Sequence, residues 1–203
     1  MQISVVSNEI NEWSGSILIA GVLEGQIESQ INLFKTIIKD TYLSLRFNTT
    51  NFEGKKNQKL SIELIEGKIK KIVFIGLGKA EDLLIDDLRK AASIGARQVS
   101  GYEEKLGIFF PWDAFDSSSA AFSVGEAVRL TNLKDLRFKS EKKEAKPIEA
   151  IELIGLDAET VKFAIAEINP ICEGVKFARE LVSAPPNFLT PYQLAEEAQK
   201  LAA

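Results

Sequence analysis

Apolar residues along this chain switch between two periods, and each switch marks a change from strand to helix or back. Residues 2–6 (QISVV) and 16–22 (SILIAGV) are short runs rich in β-branched side chains, bounded by Asn, Glu and Gly, and both read as strands. Ile27, Ile31, Phe34, Ile38 and Leu45 then recur roughly every 3.6 residues or its multiples, which predicts an amphipathic helix turned toward a sheet. Residues 59–65 (KLSIELI) and 71–75 (KIVFI) follow as a strand pair, with Glu66-Gly67 as turn material and a hairpin as the expected outcome. Leu83, Leu84, Leu88, Ala91, Ala92, Gly95 and Val99 mark a second helix. Residues 106–110 (LGIFF) form a strand stopped by Pro111. Ser117, Ser118 and Ser119 offer caps for a third helix carrying Ala121, Val124, Val128 and Leu130, and residues 148–154 (IEAIELI) close the series as a last strand.

Strands alternating with helices, with continuous apolar strands in the middle, predict an α/β fold whose sheet is covered on both faces. The hairpin makes that sheet mixed. This block ends near Leu156, and Asp157 and Glu159 then favour the start of a long helix, since acidic groups suit its positive end. Its apolar face runs through Val161, Ala164, Ile165, Ile168, Val175, Ala178 and Leu181. Pro170 interrupts that run and predicts a kink or break at Asn169. Pro185-Pro186 ends the helix, because neither residue donates a backbone hydrogen bond. Thr190, Pro191 and Gln193 then have the spacing of a capping box with proline at the first helical position, so a new helix opens there.

Composition changes this picture by exclusion. The chain has 203 residues, 45% hydrophobic and 27% charged, as in an ordinary globular protein. It contains no histidine, which removes imidazole acid-base chemistry, His-assisted nucleophiles and His-ligated zinc. The lone Cys172 cannot form an internal disulfide and reads as a small buried apolar group. A net charge of -4 and a pI near 5.2 argue against a dedicated nucleic-acid binder. No apolar run has the length of a membrane span, and the first residues lack the pattern of a secretory signal, so the expected compartment is the cytoplasm.

Candidate sites are few. Gly76-Leu77-Gly78-Lys79 lies after a strand and before a helix, where a phosphate cradle would sit. Glu81 stands where a dinucleotide fingerprint wants its third glycine, and Asp82, Asp86 and Asp87 would repel a phosphate, so a tight strand-to-helix turn is the better reading. The basic stretch 134–146 contains Phe138, Glu141 and Glu144 and reads as a solvated connection rather than a phosphate contact. The acidic pairs Glu103-Glu104, Glu196-Glu197 and Asp86-Asp87 read as surface, with no ligand spacing among them.

The run ARELVSAPPNFLTPYQLAEEA, residues 178–198, closely resembles the segment leading into the catalytic domain of the leucyl aminopeptidase, or cytosol aminopeptidase, family. Arg179, Glu180, Leu181, Pro185, Pro186, Asn187, Leu189, Thr190, Pro191, Leu194, Ala195 and Glu196 fall on its pattern. Upstream, ILIAGVLEG, IVFIGLGK and the Gly125-Glu126-Ala127-Val128 helix leading to Leu136-Arg137-Phe138-Lys139 are similar in order and spacing to that family's amino-terminal domain. The resemblance implies a macro-like amino-terminal domain over residues 1–155, a connecting helix over 156–184, and the cut-off start of a metallopeptidase domain over 185–203.

It further implies a homo-hexameric parent enzyme that removes amino-terminal residues, preferably leucine, from peptides. Two divalent metals, zinc or manganese, would activate a water between them. The family's metal-binding stretches do not occur in this sequence, so no residue is assigned a catalytic, cofactor-binding or metal-ligating role. The amino-terminal part is expected to support assembly and stability. The alternative reading is a free-standing macro-type module that binds ADP-ribose or a related nucleotide. DNA binding, known among some bacterial relatives, is disfavoured by the acidic balance.

Overall fold

A computed structural model of the chain describes residues 1–7, 9–37, 47–48, 50–65, 67–99, 101, 106–140 and 147–202. Six strands form one sheet: β1 (Gln2–Val6), β2 (Ile17–Leu23), β3 (Lys59–Glu63), β4 (Lys71–Gly78), β5 (Leu106–Phe109) and β6 (Ala150–Ile154). Their order is β1-β6-β5-β2-β4-β3, and every neighbouring pair is parallel except β3 with β4. The helices are α1 (Ile27–Ile37), α2 (Ile85–Gln98), α3 (Ser117–Asn132), α4 (Ala158–Ser183) and α5 (Pro191–Ala202). This is the expected mixed α/β sheet with helices on both faces.

The two-residue period of the strands sorts side chains into two cores. From β2, Ile17 and Ile19 join Val73, Ile75, Ile108 and Leu153 against α2 and α3. On the other face Leu18, Ala20 and Val22 join Phe74, Leu60 and Ile62 against Phe34 of α1, Phe47 and Phe52. Phe74 is fully buried, with Phe34 at 5.1 Å and Phe47 at 4.8 Å between ring centroids, both in edge-on geometry. Such pairs add roughly 0.5–1.5 kcal/mol each beyond their buried area. Helix α4 packs along α3 and against β1, which is how the long helix is tied to the sheet.

Several sequence expectations are corrected in detail. Strand β4 runs on to Gly78, so Gly76 and Gly78 belong to the sheet and not to a turn. Helix α2 begins at Ile85, leaving Leu83 and Leu84 before it. Asp116, not a serine, caps α3, its carboxylate accepting from the Ser119 backbone N–H at 2.9 Å. A carboxylate is the stronger acceptor at a positive helix end, and the Ser119 hydroxyl also donates to it.

The predicted break at Asn169 does not occur: α4 is helical from Ala158 to Ser183 with Pro170 inside it. Pro170 and Ala166, the residue whose carbonyl loses its intrahelical partner, both lie on the exposed side, where water can take over. Ile168 and Cys172 anchor the helix to the core on either side of the proline. The helix starts after Asp157 as expected, and Asp157 itself caps it, accepting from Thr160 N at 2.8 Å. The expectations for Ile38, Leu45, Glu66, the Glu103-Glu104 pair and residues 141–146 lie outside the described residues.

Candidate functional site

In a parallel α/β sheet, ligands enter at the carboxyl ends of the strands where the direction of connection reverses. Here that reversal lies between β2 and β5, since the chain leaves β2 toward β4 and leaves β5 toward β6. Phe110 follows β5 there, 1% exposed, and packs beside Leu77 of β4, also 1% exposed, across Gly21. Trp112 lies over the ends of β5 and β6, its Nε1 donating to the Ile154 carbonyl at 2.7 Å. The crevice that a nucleotide would use is thus packed with aromatic and aliphatic side chains. Asp116 at the adjacent start of α3 also spends its charge on that helix. The nucleotide-module reading gains no support from this edge.

The two glycines weighed as a phosphate cradle serve a different purpose. Gly76 N donates to the Gln58 carbonyl at 2.8 Å, and Gly78 N donates to the Gly54 carbonyl at 2.8 Å. The Gly76 carbonyl accepts from Asn57 N, and the Gly78 carbonyl from Glu24 N, each at 2.9 Å. A Cβ at Gly76 would stand 2.1 Å from the Lys55 carbonyl oxygen, and Gly78 has φ +83. Both positions need glycine because the segment 54–58 lies directly on the strand. Their amides are occupied by the protein's own carbonyls.

The acidic pairs are likewise in use. Asp87 accepts from Leu84 N at 2.9 Å and from Lys56 Nζ at 2.8 Å, while its neighbour Asp86 pairs with Arg89 at 2.9 Å. Glu197 pairs with Lys200 at 2.7 Å on α5. Among the described residues no group of three or more His, Cys, Asp or Glu side chains could hold a metal ion. These residues do not fit a two-metal centre. Cys172 is fully buried, and burial, with Glu126 nearby, pushes its thiol pKa up, the opposite of what a nucleophile needs.

One cluster stands out that sequence reasoning missed. Asp135 and Arg137, in the connection after α3, form a bidentate pair: Nε donates to Oδ1 at 2.9 Å and Nη2 to Oδ2 at 2.7 Å. Nη2 also donates to the Glu180 carbonyl at 2.7 Å, and Ser183 Oγ lies 2.8 Å from Asp135 Oδ2. Both partners are on the last turn of α4. The Arg137 guanidinium, helped by the Ser183 hydroxyl, holds the Asp135 carboxyl well below the usual carboxylate range. Next to this pair, Phe138 meets Phe188 edge-on at 5.0 Å.

The start of α5 follows the sequence expectation: Thr190 N donates to Gln193 Oε1 at 3.0 Å, and Gln193 N to Thr190 Oγ1 at 3.4 Å. Between the end of α4 and α5 lies a groove of about 370 Å³, with Phe177, Leu181, Phe188 and Glu197 among its walls. The signal for this joint was an aromatic residue inside a basic stretch and another after Pro-Pro-Asn. Neither has a partner within reach along the sequence.

Residues 19–142 match the model of the cytosol aminopeptidase family, N-terminal domain. A probable cytosol aminopeptidase of Prochlorococcus marinus (strain MIT 9211) is 48% identical over 202 residues, covering 100% of this chain and 41% of the relative. Another, from Synechococcus sp. (strain CC9902), is 39% identical over 204 residues with the same coverage. The chain therefore spans about two fifths of the length of the curated relatives it matches. Among solved structures, a mutant tomato leucine aminopeptidase shares the fold with TM-score 0.80 at 24% identity, over 100% of this chain and 42% of that one. The bottromycin maturation enzyme BotP aligns at TM-score 0.67 and 19% identity, over 92% of this chain and 37% of its own.

Proposed function

The chain belongs to the cytosol aminopeptidase family, and from that premise we propose that it is the non-catalytic amino-terminal part of a metal-dependent aminopeptidase. The whole enzyme would hydrolyse amino-terminal residues, leucine preferred, from peptides in the cytoplasm. The observation that carries this reading is the match over 100% of this chain, at 48% identity, to a relative of which it covers 41%. BotP, a fold neighbour, is known in complex with Mn, which favours a divalent metal, manganese or zinc, in the whole protein. Two such ions would acidify a shared water and polarise the scissile carbonyl. The acidic groups described above are committed to caps and ion pairs, so the ligands are assigned to sequence beyond this chain.

In this reading residues 1–155 are the amino-terminal domain, 156–184 the connecting helix, and 185–203 the entry to the catalytic domain. Exposed Tyr192, Leu194 and Leu201 on α5 suit a helix that packs against further protein. The amino-terminal domain would support assembly into a homo-hexamer. No helix among the described residues is long and apolar enough to cross a membrane.

Two preparations test this: the 203-residue chain, and the same chain continued through its native reading frame. With manganese or zinc added, only the longer protein should release leucine from leucine p-nitroanilide, and it should sediment as a hexamer. Metal-dependent hydrolysis by the 203-residue chain alone would overturn the assignment. So would an inactive longer protein that retains its fold and metal.

A further inference from the structure

Helix α5 buries none of its residues, yet it leaves α4 in a defined direction. An isolated helix of about 12 residues is marginal in water, so its own hydrogen bonds do not fix where it points. Arg137 reaches the Glu180 carbonyl on the last turn of α4, and Asp135 meets Ser183 at its final residue. Phe138 then meets Phe188 in the turn between the helices. Arg137 links the two halves, its guanidinium carbon lying 5.1 Å from the centre of the Phe138 ring.

We propose that Asp135, Arg137, Ser183 and the Phe138–Phe188 ring pair form a latch that fixes the direction in which the chain leaves α4 and enters α5. The polar half clamps the helix end. A bidentate guanidinium–carboxylate pair holds one geometry where a lysine would hold many. The aromatic half clamps the turn: an edge-on ring pair resists rotation about the Pro185-Pro186 segment. The turn is stiffened from inside as well, because Phe188 N and Leu189 N both donate to the Pro185 carbonyl, at 2.8 and 2.9 Å. Together these keep α5 off α4 and hold open the groove between them. The inference is independent of the enzymatic assignment, since it concerns only groups within this chain.

Paired spin labels at Lys90→Cys on α2 and Gln199→Cys on α5 read the angle directly as a distance distribution. Buried Cys172 is shielded from the label. The latch predicts one narrow distance in the otherwise unchanged chain. Asp135→Ala and Phe188→Ala should each abolish that narrow peak, while Asp113→Ala, at an exposed acid away from the joint, should keep it. Thermal unfolding of each variant shows whether the sheet and its helices persist. Should Asp135→Ala unfold, Phe188→Ala decides, because its half-exposed ring lies outside both cores. A broad distribution in the unsubstituted chain, or a narrow one surviving in both variants, overturns the proposal.

Discussion

Strand β4 and helix α5 are both local segments with clear sequence patterns, but the rest of the protein holds them in opposite ways. Every residue of β4 is buried, and its side chains feed both cores. Helix α5 buries nothing, and Tyr192 and Leu201 are 74% and 72% exposed. Burial couples a segment's stability to the whole domain, whereas a capped but unburied helix keeps a stability of its own. The α/β unit should therefore melt as one body, and α5 should unfold separately, at a lower temperature.

The largest expected effect tests the first half of that contrast. Phe74→Ala removes a fully buried ring that touches Phe34 and Phe47, and should cost about 3–5 kcal/mol in chemical denaturation. A cost as small as that of a surface change would mean that the second core is not a cooperative part of the domain. Next comes Gly76→Ala, which drives a methyl group into the Lys55 carbonyl at a position where only backbone lies opposite. Overpacking of this kind costs about 1–3 kcal/mol, and the upper end applies because a backbone oxygen cannot swing aside. A stable Gly76→Ala variant, with unchanged denaturant midpoint, would show that the 54–58 segment yields easily.

These same residues explain what could be read from the sequence. Strand β2 was legible because seven consecutive apolar residues need a sheet covered on both faces, whatever the partners are. The cap at Thr190 was legible because donor and acceptor are three residues apart, and the helix start at Asp157 because an acidic group suits a positive helix end. Gly76 and Gly78 were misread because the reason for them, the segment at 54–58, lies about twenty residues upstream and leaves no periodic trace. Pro170 was misread for a related reason: packing by Ile168 and Cys172 against α3 outweighs one missing hydrogen bond on the wet side. Asp135 and Ser183 are 48 positions apart, and nothing in either local pattern announces the other. The family itself was legible from one extended motif, residues 178–198, whose proline and capping positions the structure bears out.

Acid should weaken the helix caps of the α/β unit in a defined window. Asp116 is held below its usual pKa by the Ser119 backbone N–H and hydroxyl, and Asp157 by the Thr160 hydroxyl and N–H. Because both folded values are depressed, their stabilisation is fully present above the unfolded value of about 3.9 and is lost as pH falls through and below it. Asparagine also caps helices but does not titrate there. The Asp116→Asn/Asp157→Asn double variant should melt below the parent at pH 7, because it lacks the charge at the two helix ends, and show a shallower decline below about pH 4. An unchanged acid slope would assign that decline to other carboxylates.

The smallest effect probes the second half of the contrast. Thr190→Ala removes the hydroxyl that accepts from Gln193 N and should weaken α5 by about 1 kcal/mol, the usual worth of such a cap. Since α5 buries no residue, that loss should stay local: the main thermal transition should move by less than what about 0.5 kcal/mol produces. Helical signal at low temperature should fall, and amide exchange should rise over residues 191–202 alone. If the main transition instead drops in step with the cap, α5 is energetically joined to the sheet despite its exposure. The coupling would then run through the latch, whose Phe138–Phe188 ring pair bridges the turn before α5 to the connection after α3. Combining Thr190→Ala with Phe188→Ala would reveal it, since coupled sites fail to add.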